Sequence, residues 1–417
     1  MLATTLVVSC SLIDLSSLGG SDASVDAAVE APADGFVLTS ARSHVTMDPS
    51  EGLDVPIDIS RGATFSDVVD VTIGVVGLTN VSVPPSLVFT GSAPANLHID
   101  VPPTTKAPQD GTITLTGVGR STLASAPQLV LGVRVGSVLV DTQANASTPI
   151  PAYASSVTIK AWGAGGGAGT SLSLQNGVAS GGYGGGGGMS GGIFAAPSGS
   201  TLTIVVGQPG KSVGGGSGGG YSIVSIGSTT LLVAGGGGGG SQGVADSGYC
   251  STPQPTGNGL AGGGGDAEKS ARSATMSAPG AAGDTAATAG TSYLGGNGSP
   301  LDINNCKFSC VDGGAPGGGT SGRAGTCTSS GGGGGGGGFW GGGGGSGPSH
   351  QGGGGGSGFV SDAGADVIQA RGATVTPAST TDPDYLAGSA TGGVASTDNS
   401  AAVPASPGRV IVRLPKP

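Results

Sequence analysis

The first third of the chain alternates apolar and polar residues over short stretches. In Asp54-Val55-Pro56-Ile57-Asp58-Ile59-Ser60 every second side chain is apolar, and period two recurs at 68–73, 86–90, 97–101, 112–116 and 129–135. Successive side chains of a strand point to opposite faces, so each stretch predicts a half-buried strand. Gly, Pro and Asn punctuate them, and no stretch carries the 3.6-residue period of a helix. Residues 35–140 therefore predict a β-sandwich of about seven short strands.

A different pattern begins after residue 153. Apolar β-segments at 157–162, 192–195, 202–206, 221–224 and 231–234 are threaded through glycine runs at 184–188, 235–240, 331–338, 341–345 and 352–356. The alternating segment 408–414 closes the chain and predicts a strand that returns to pair with an early one. Of the 91 glycines, 78 lie in residues 151–417. Glycine in a regular element costs roughly 0.5–1 kcal/mol relative to alanine, so such runs stay ordered only where many backbone bonds compensate. The extended left-handed polyglycine II helix offers them: with no Cβ, neighbouring helices approach closely and pair N–H with C=O. That packing predicts that any side chain within a run sits on the outer rim, that Phe339-Trp340 plugs the gap between two runs, and that residues 267–292 form a loop. Residues 141–153, with Pro149 and Pro151, read as a linker between the two parts.

Charge and chemistry narrow the function. The net charge is −10, and the 15 Lys and Arg are scattered with no basic cluster, which excludes a nucleic-acid partner. No run of 18 apolar residues is present to span a bilayer as a helix. Glycine abundance generates motif matches by chance: 215–219 and 239–243 fit G-x-S-x-G without a strand-to-helix elbow. The phosphate-loop match at 207–212 lacks the first glycine, since Val205 holds that position, and 295–300 has Pro300 where a calcium repeat needs Asp. His44, His98 and His350 are the only histidines and show no ligand spacing. The expectation is a protein without catalysis, cofactor or metal. Tyr183, Tyr221 and Trp340 are the candidate ligand-contact aromatics, by stacking on a sugar; packing against glycine threads or sheet is the competing use.

At the N-terminus, Val7-Val8-Ser9-Cys10 follows an apolar stretch and resembles a bacterial lipoprotein box, in which cleavage before the cysteine leaves its thiol to carry lipid. That resemblance implies residues 1–10 as a signal-peptide remnant, lipidation of Cys10, and attachment to a membrane through the lipid. The leader is short and carries no Lys or Arg, which predicts a natural start upstream of Met1. Residues 11–34, low in bulky side chains and bearing Asp22, Asp26, Glu30 and Asp34, predict a flexible tether. The remaining cysteines, Cys250, Cys306, Cys310 and Cys327, are even in number in a chain expected to be exported, and read as two disulfides with three possible pairings. A four-thiolate metal site is the rival, opposed by there being only one close pair, Cys306 and Cys310.

Two further resemblances concern the fold. The strand order of 35–140, with the turn Gly77-Leu78-Thr79-Asn80-Val81-Ser82-Val83-Pro84-Pro85, resembles the immunoglobulin-like modules of secreted bacterial proteins. Val157-Thr158-Ile159-Lys160-Ala161-Trp162 entering Gly163, Val233-Ala234 entering Gly235, and Cys327-Thr328-Ser329-Ser330 entering Gly331 resemble the glycine-rich extracellular domain of the anaplastic lymphoma kinase and leukocyte tyrosine kinase receptors, which has counterparts in bacterial and phage surface proteins. It covers residues 154–417 and implies a jelly-roll-like β-unit with inserted, packed polyglycine helices and a part in ligand recognition. The expected whole is an all-β envelope lipoprotein, at the outer membrane or cell surface or else secreted, acting as a structural or adhesive module toward a glycan or protein ligand. The alternatives are a receptor-like ectodomain without its own kinase, a phage tail-tip adhesin and, last, a secreted enzyme.

Overall fold

The computed structural model describes residues 31–174, 177–212, 214–243, 273–275, 277–282, 287–297, 302–303, 306–307, 331–345, 351–396 and 402–416. Cys10, Cys250, Cys310 and Cys327 lie outside these residues, as does the side chain of Cys306. Every regular element among the described residues is a strand.

The alternating first third folds as β1 (Phe36–Thr39), β2 (His44–Met47), β3 (Glu51–Arg61), β4 (Val69–Val76), β5 (Ser86–Phe89), β6 (Ala95–Val101), β7 (Gln109–Gly119) and β8 (Leu129–Val135). A three-stranded sheet β1-β3-β6 packs on a five-stranded sheet β2-β8-β7-β4-β5. The first two strands therefore lie in different sheets, and β2 pairs in parallel with β8. The apolar positions of the alternating stretches point inward: Val55, Ile57, Leu97, Ile99, Ile113, Leu115 and Leu131 have no exposed surface and form one core with Phe36 and Met47.

The second part contains β9 (Val138–Thr142), β10 (Ala146–Pro149), β11 (Ser156–Trp162), β12 (Leu172–Leu174), β13 (Gly177–Ala179), β14 (Met189–Ala195), β15 (Thr201–Val205), β16 (Ser222–Ile226), β17 (Thr229–Ala234), β18 (Asp302–Ile303), β19 (Cys306–Lys307), β20 (Phe359–Val360), β21 (Gly364–Ala370) and β22 (Arg409–Arg413). Two five-stranded sheets, β10-β15-β16-β17-β20 and β21-β14-β11-β22-β9, enclose a core of Val157, Ile159, Phe194, Leu202, Ile204, Leu232, Val410 and Val412. The closing strand β22 pairs with β11, as its alternation predicts, and also with β9.

The stretch 141–153 is therefore not a linker. β9 pairs with β22, and β10 pairs with β15. Pro149 is compatible with a strand here because β10 is a sheet edge, where a missing donor costs no ladder bond. Only Gly136 and Ser137 separate β8 from β9. Ser137 is fully buried and donates from N and Oγ to the Asp48 carboxylate, at 2.6 and 2.9 Å. Lys416 reaches Asp48 at 2.7 Å and Glu51 at 2.5 Å, and the Tyr153 ring stacks on His44 at 4.5 Å.

All four glycine excursions leave from one end of the paired sheets. Trp162 stands opposite both Met189 and Arg409, and Met189 opposite Ala370; in the other sheet Val205 stands opposite Ile223, Ser222 opposite Ala234 and Val233 opposite Phe359. The segments beyond these residues pack side by side with a three-residue repeat. Gly182, Gly185 and Gly188 donate to Ser241, Gly238 and Gly235; Gly236 and Gly239 donate to Gly337 and Gly334; Gly237 and Gly240 donate to Ala164 and Gly167, all at 2.7–3.0 Å. A Cβ on any of Gly235 to Gly240 would lie 1.8–2.2 Å from a neighbouring carbonyl oxygen, so these positions admit only glycine.

Side chains inside the runs do not all lie on the rim. Ala164, Ala168, Ser241 and Ser357 have no exposed surface and Ser217 only 2%. Small side chains fit where the repeat leaves room, and a serine hydroxyl replaces a backbone partner, as where Ser217 Oγ accepts Lys211 N at 2.6 Å. The described residues of 267–292 form no regular strand, yet Gly280 and Gly290 join the packing, with Gly280 donating to Gly341 at 2.9 Å.

The registers also order the parts in space. Met47, Glu51 and Val135 lie at the junction, whereas Phe36 pairs with Arg61 at the far end of the sandwich. Val138 enters the second unit opposite Arg413, at the end of β22 remote from Gly408 and the glycine threads. The order in space is the Phe36 end of the sandwich, the junction, the β-unit and the glycine threads.

Candidate functional site

Five aromatic rings form one continuous cluster where the β10-β15-β16-β17-β20 sheet meets the threads. Ile223, Val233 and Phe359 are register partners on one face of the sheet, and Tyr221, two residues before Ile223, falls on the same face. Phe339 stacks on Phe359 at 4.4 Å and contacts Trp340 edge-on at 6.0 Å; Tyr293 bridges Phe339 at 6.1 Å and Tyr221 at 5.5 Å. All five are half-buried, and Leu294 beside them is exposed.

Backbone bonds hold the rings in place. Ser357 N donates to Trp340 O at 2.9 Å, Ser357 Oγ accepts Trp340 N at 3.1 Å, and Ser292 bridges Trp340. Thr291 and Leu294 close a turn on each other, and Tyr293 within it has φ +66°, a left-handed conformation uncommon for a bulky residue. Burial first, and the Tyr293 phenol second, push the Tyr221 phenol above its ordinary value, so it is neutral across the physiological range.

Of the three aromatics singled out from the sequence, the structure brings Tyr221 and Trp340 into this cluster. Tyr183 is exposed on the 180–188 thread and is not among the cluster's ring contacts. Phe339 and Trp340, the pair expected to plug the gap between two runs, are both half-buried. Tyr293 and Phe359 are additions; each is an isolated aromatic in a small-residue stretch, and that isolation was the only available signal.

Elsewhere among the described residues, several ionisable groups pair with one another. Lys160 sits 2.9 Å from both Asp382 and Asp384, and Arg413 contacts Asp384 at 2.5 Å. Burial disfavours the charge on Lys160, but the two carboxylates outweigh it and hold the amine above its ordinary value. His98 pairs with Asp54 at 2.8 Å on the open face of the sandwich. A cavity of about 320 Å³ at the junction is lined by His44, Asp110, Arg134 and Tyr153, with Arg134 committed to Asp110 at 2.9 Å. Among the described residues no three His, Cys, Asp or Glu side chains converge as a metal ion requires.

No protein-family model matches this chain, and no curated protein sequence is significantly similar to it.

Proposed function

We propose that this chain is a non-catalytic bacterial envelope lipoprotein that displays a rigid, glycine-built head for adhesion. The serial order carries the reading: the N-terminal end of the sandwich and the glycine threads lie at opposite ends of the molecule, with a two-residue connection between the β-units. Taking β3 and β11 in series at about 3.3 Å per residue, the threads begin about 60 Å from the first strand. A lipid on Cys10 followed by the tether 11–34 anchors one end, and the aromatic cluster faces a glycan or protein ligand from the other part. The threads act as polyglycine II helices, a reading supported by their three-residue repeat and mutual backbone bonds. On this view the receptor-type glycine-rich domain is an architectural counterpart, and Cys250, Cys306, Cys310 and Cys327 form two disulfides in an oxidising compartment.

The test is mass spectrometry of the native N-terminus together with protease shaving of intact cells. A diacyl or triacyl mass on Cys10 and release of head peptides are expected. An unmodified N-terminus on a cytosolic, shaving-resistant protein would sink the display reading.

A further inference from the structure

We propose that the Tyr221, Tyr293 and Trp340 face binds a neutral oligosaccharide, an inference that rests on the display reading and names its ligand class. Two aromatics packed in the β-unit use their polar atoms, Trp162 Nε1 donating to Ala378 O and Tyr385 Oη to Ser389 O, both at 3.0 Å, whereas the buried Tyr153 hydroxyl has no hydrogen-bond partner among the described residues. Tyr221, Tyr293 and Trp340 have no hydrogen bond through their side-chain polar atoms among the described residues, and all three are partly exposed. An aromatic with one face packed and its polar tip left to solvent is suited to a ligand that offers both C–H faces and hydroxyls.

Charge selects among such ligands. Among the described residues the one group that perturbs Tyr221 besides burial is the Tyr293 phenol, and no cation or carboxylate does so. An anionic sugar or charged peptide would lose hydration there without a counter-charge in return. A pyranose ring meets the chemistry of the face: its axial C–H bonds cover an aromatic ring while its hydroxyls reach two phenols and an indole N–H. Successive ring separations of 5.5, 6.1 and 6.0 Å lead from Tyr221 through Tyr293 and Phe339 to Trp340. The rings are also pre-set. Trp340 is clamped by Ser357 on both sides of its peptide, and Tyr293 is held at φ +66° by its turn, so little motion is lost on binding.

The chain has two tryptophans, and Trp162 is fully buried, so fluorescence changes on binding report Trp340. The full chain is titrated with linear hexasaccharides of β-1,4-glucose, β-1,4-N-acetylglucosamine and α-1,4-glucose, and with a heparin-derived hexasaccharide as the charged comparison, by fluorescence and calorimetry. Saturable binding of at least one neutral sugar, and weaker binding of the charged one, is expected. Tyr293→Phe keeps the ring and removes one hydroxyl, and should weaken binding about fivefold. Trp340→Phe keeps the packing and loses the larger ring and its N–H, and should weaken it about tenfold. Unchanged amide exchange in both variants shows that the fold survives. The inference is overturned by no saturable binding to any neutral sugar, by preference for the charged one, by wild-type affinity in both variants, or by a Trp340 that acrylamide cannot quench in the free chain, which would mean that another part of the chain covers the face. A lipidated, displayed and adhesive protein that ignores all four sugars would defeat this inference while leaving the display reading intact.

Discussion

The sandwich and the glycine lattice exclude water by opposite means. In the sandwich, side chains fill the space between two sheets: Ile57, Leu97 and Leu131 have no exposed surface because neighbouring side chains surround them. In the lattice, Gly235 to Gly240 are equally buried with no side chain at all, because other backbones surround them. The first arrangement tolerates some change of shape, since rotamers adjust around a new volume. The second has no rotamers to adjust. A core of side chains is damaged by removing atoms, whereas a core of main chain is damaged by adding one.

The largest expected effect follows from that contrast. Gly239→Ala would place a methyl 1.8 Å from Gly216 O and force two threads apart. A loss above about 4 kcal/mol is expected, with amide protection vanishing at 214–220 and 331–338 while the sandwich strands keep theirs. Near-native exchange in both threads would show that the lattice is looser than described. Next is the reverse experiment, Ile57→Ala. It should cost about 2–5 kcal/mol in chemical denaturation of the sandwich and leave protection in the threads unchanged. Simultaneous loss in both parts would merge the two into one cooperative unit.

Acid and alkali probe the junction between them. Burial opposes the charges of Asp48 and Asp384, but bonds from Lys416 and Ser137 to the first, and from Arg413 and Lys160 to the second, hold both carboxyls below their ordinary value. Their stabilisation is full above the unfolded value of about 3.9 and is lost as pH falls through the folded values. Lys160 is shifted the other way. Its contribution is full below about 10.4 and is lost as pH rises through its folded value. Melting temperature should therefore be flat between about pH 5 and 10 and fall on both sides. A maximum confined to neutral pH would point to groups other than these.

Smaller effects separate the lattice from its edges. Ser217→Ala leaves Lys211 N without its 2.6 Å acceptor and should cost about 1–3 kcal/mol, read as faster exchange confined to 207–220. Lys416→Ala removes a half-exposed partner of Asp48 and Glu51, and at most about 1 kcal/mol of stability is expected, with no change in the threads.

How much of this was legible depended on whether side chains carried the signal. β3, β6, β7 and β8 stand out from alternation because one face of each is buried and the other open. β9 and β10 were hidden: their partners β22 and β15 lie far along the chain, and Pro149 and Pro151 signal a break that the sheet edge accommodates. β21 was also obscured, since its side chains are largely exposed and no inward apolar face marks it. Tyr221 and Trp340 were identifiable as unusual aromatics, but nothing in their neighbourhoods joins them to Tyr293, which lies 72 residues beyond Tyr221 and 47 before Trp340.

By itself the amino-acid order determined that the protein is built of strands, that two differently composed parts follow one another, and that long stretches present bare backbone. Those features are local, written in the period of apolar residues and in the absence of Cβ atoms. Which thread lies beside which was decided only in three dimensions. Glycines are interchangeable, so a run contains nothing that selects a partner; the sheets do so by releasing every excursion from the same end and fixing where each begins and returns.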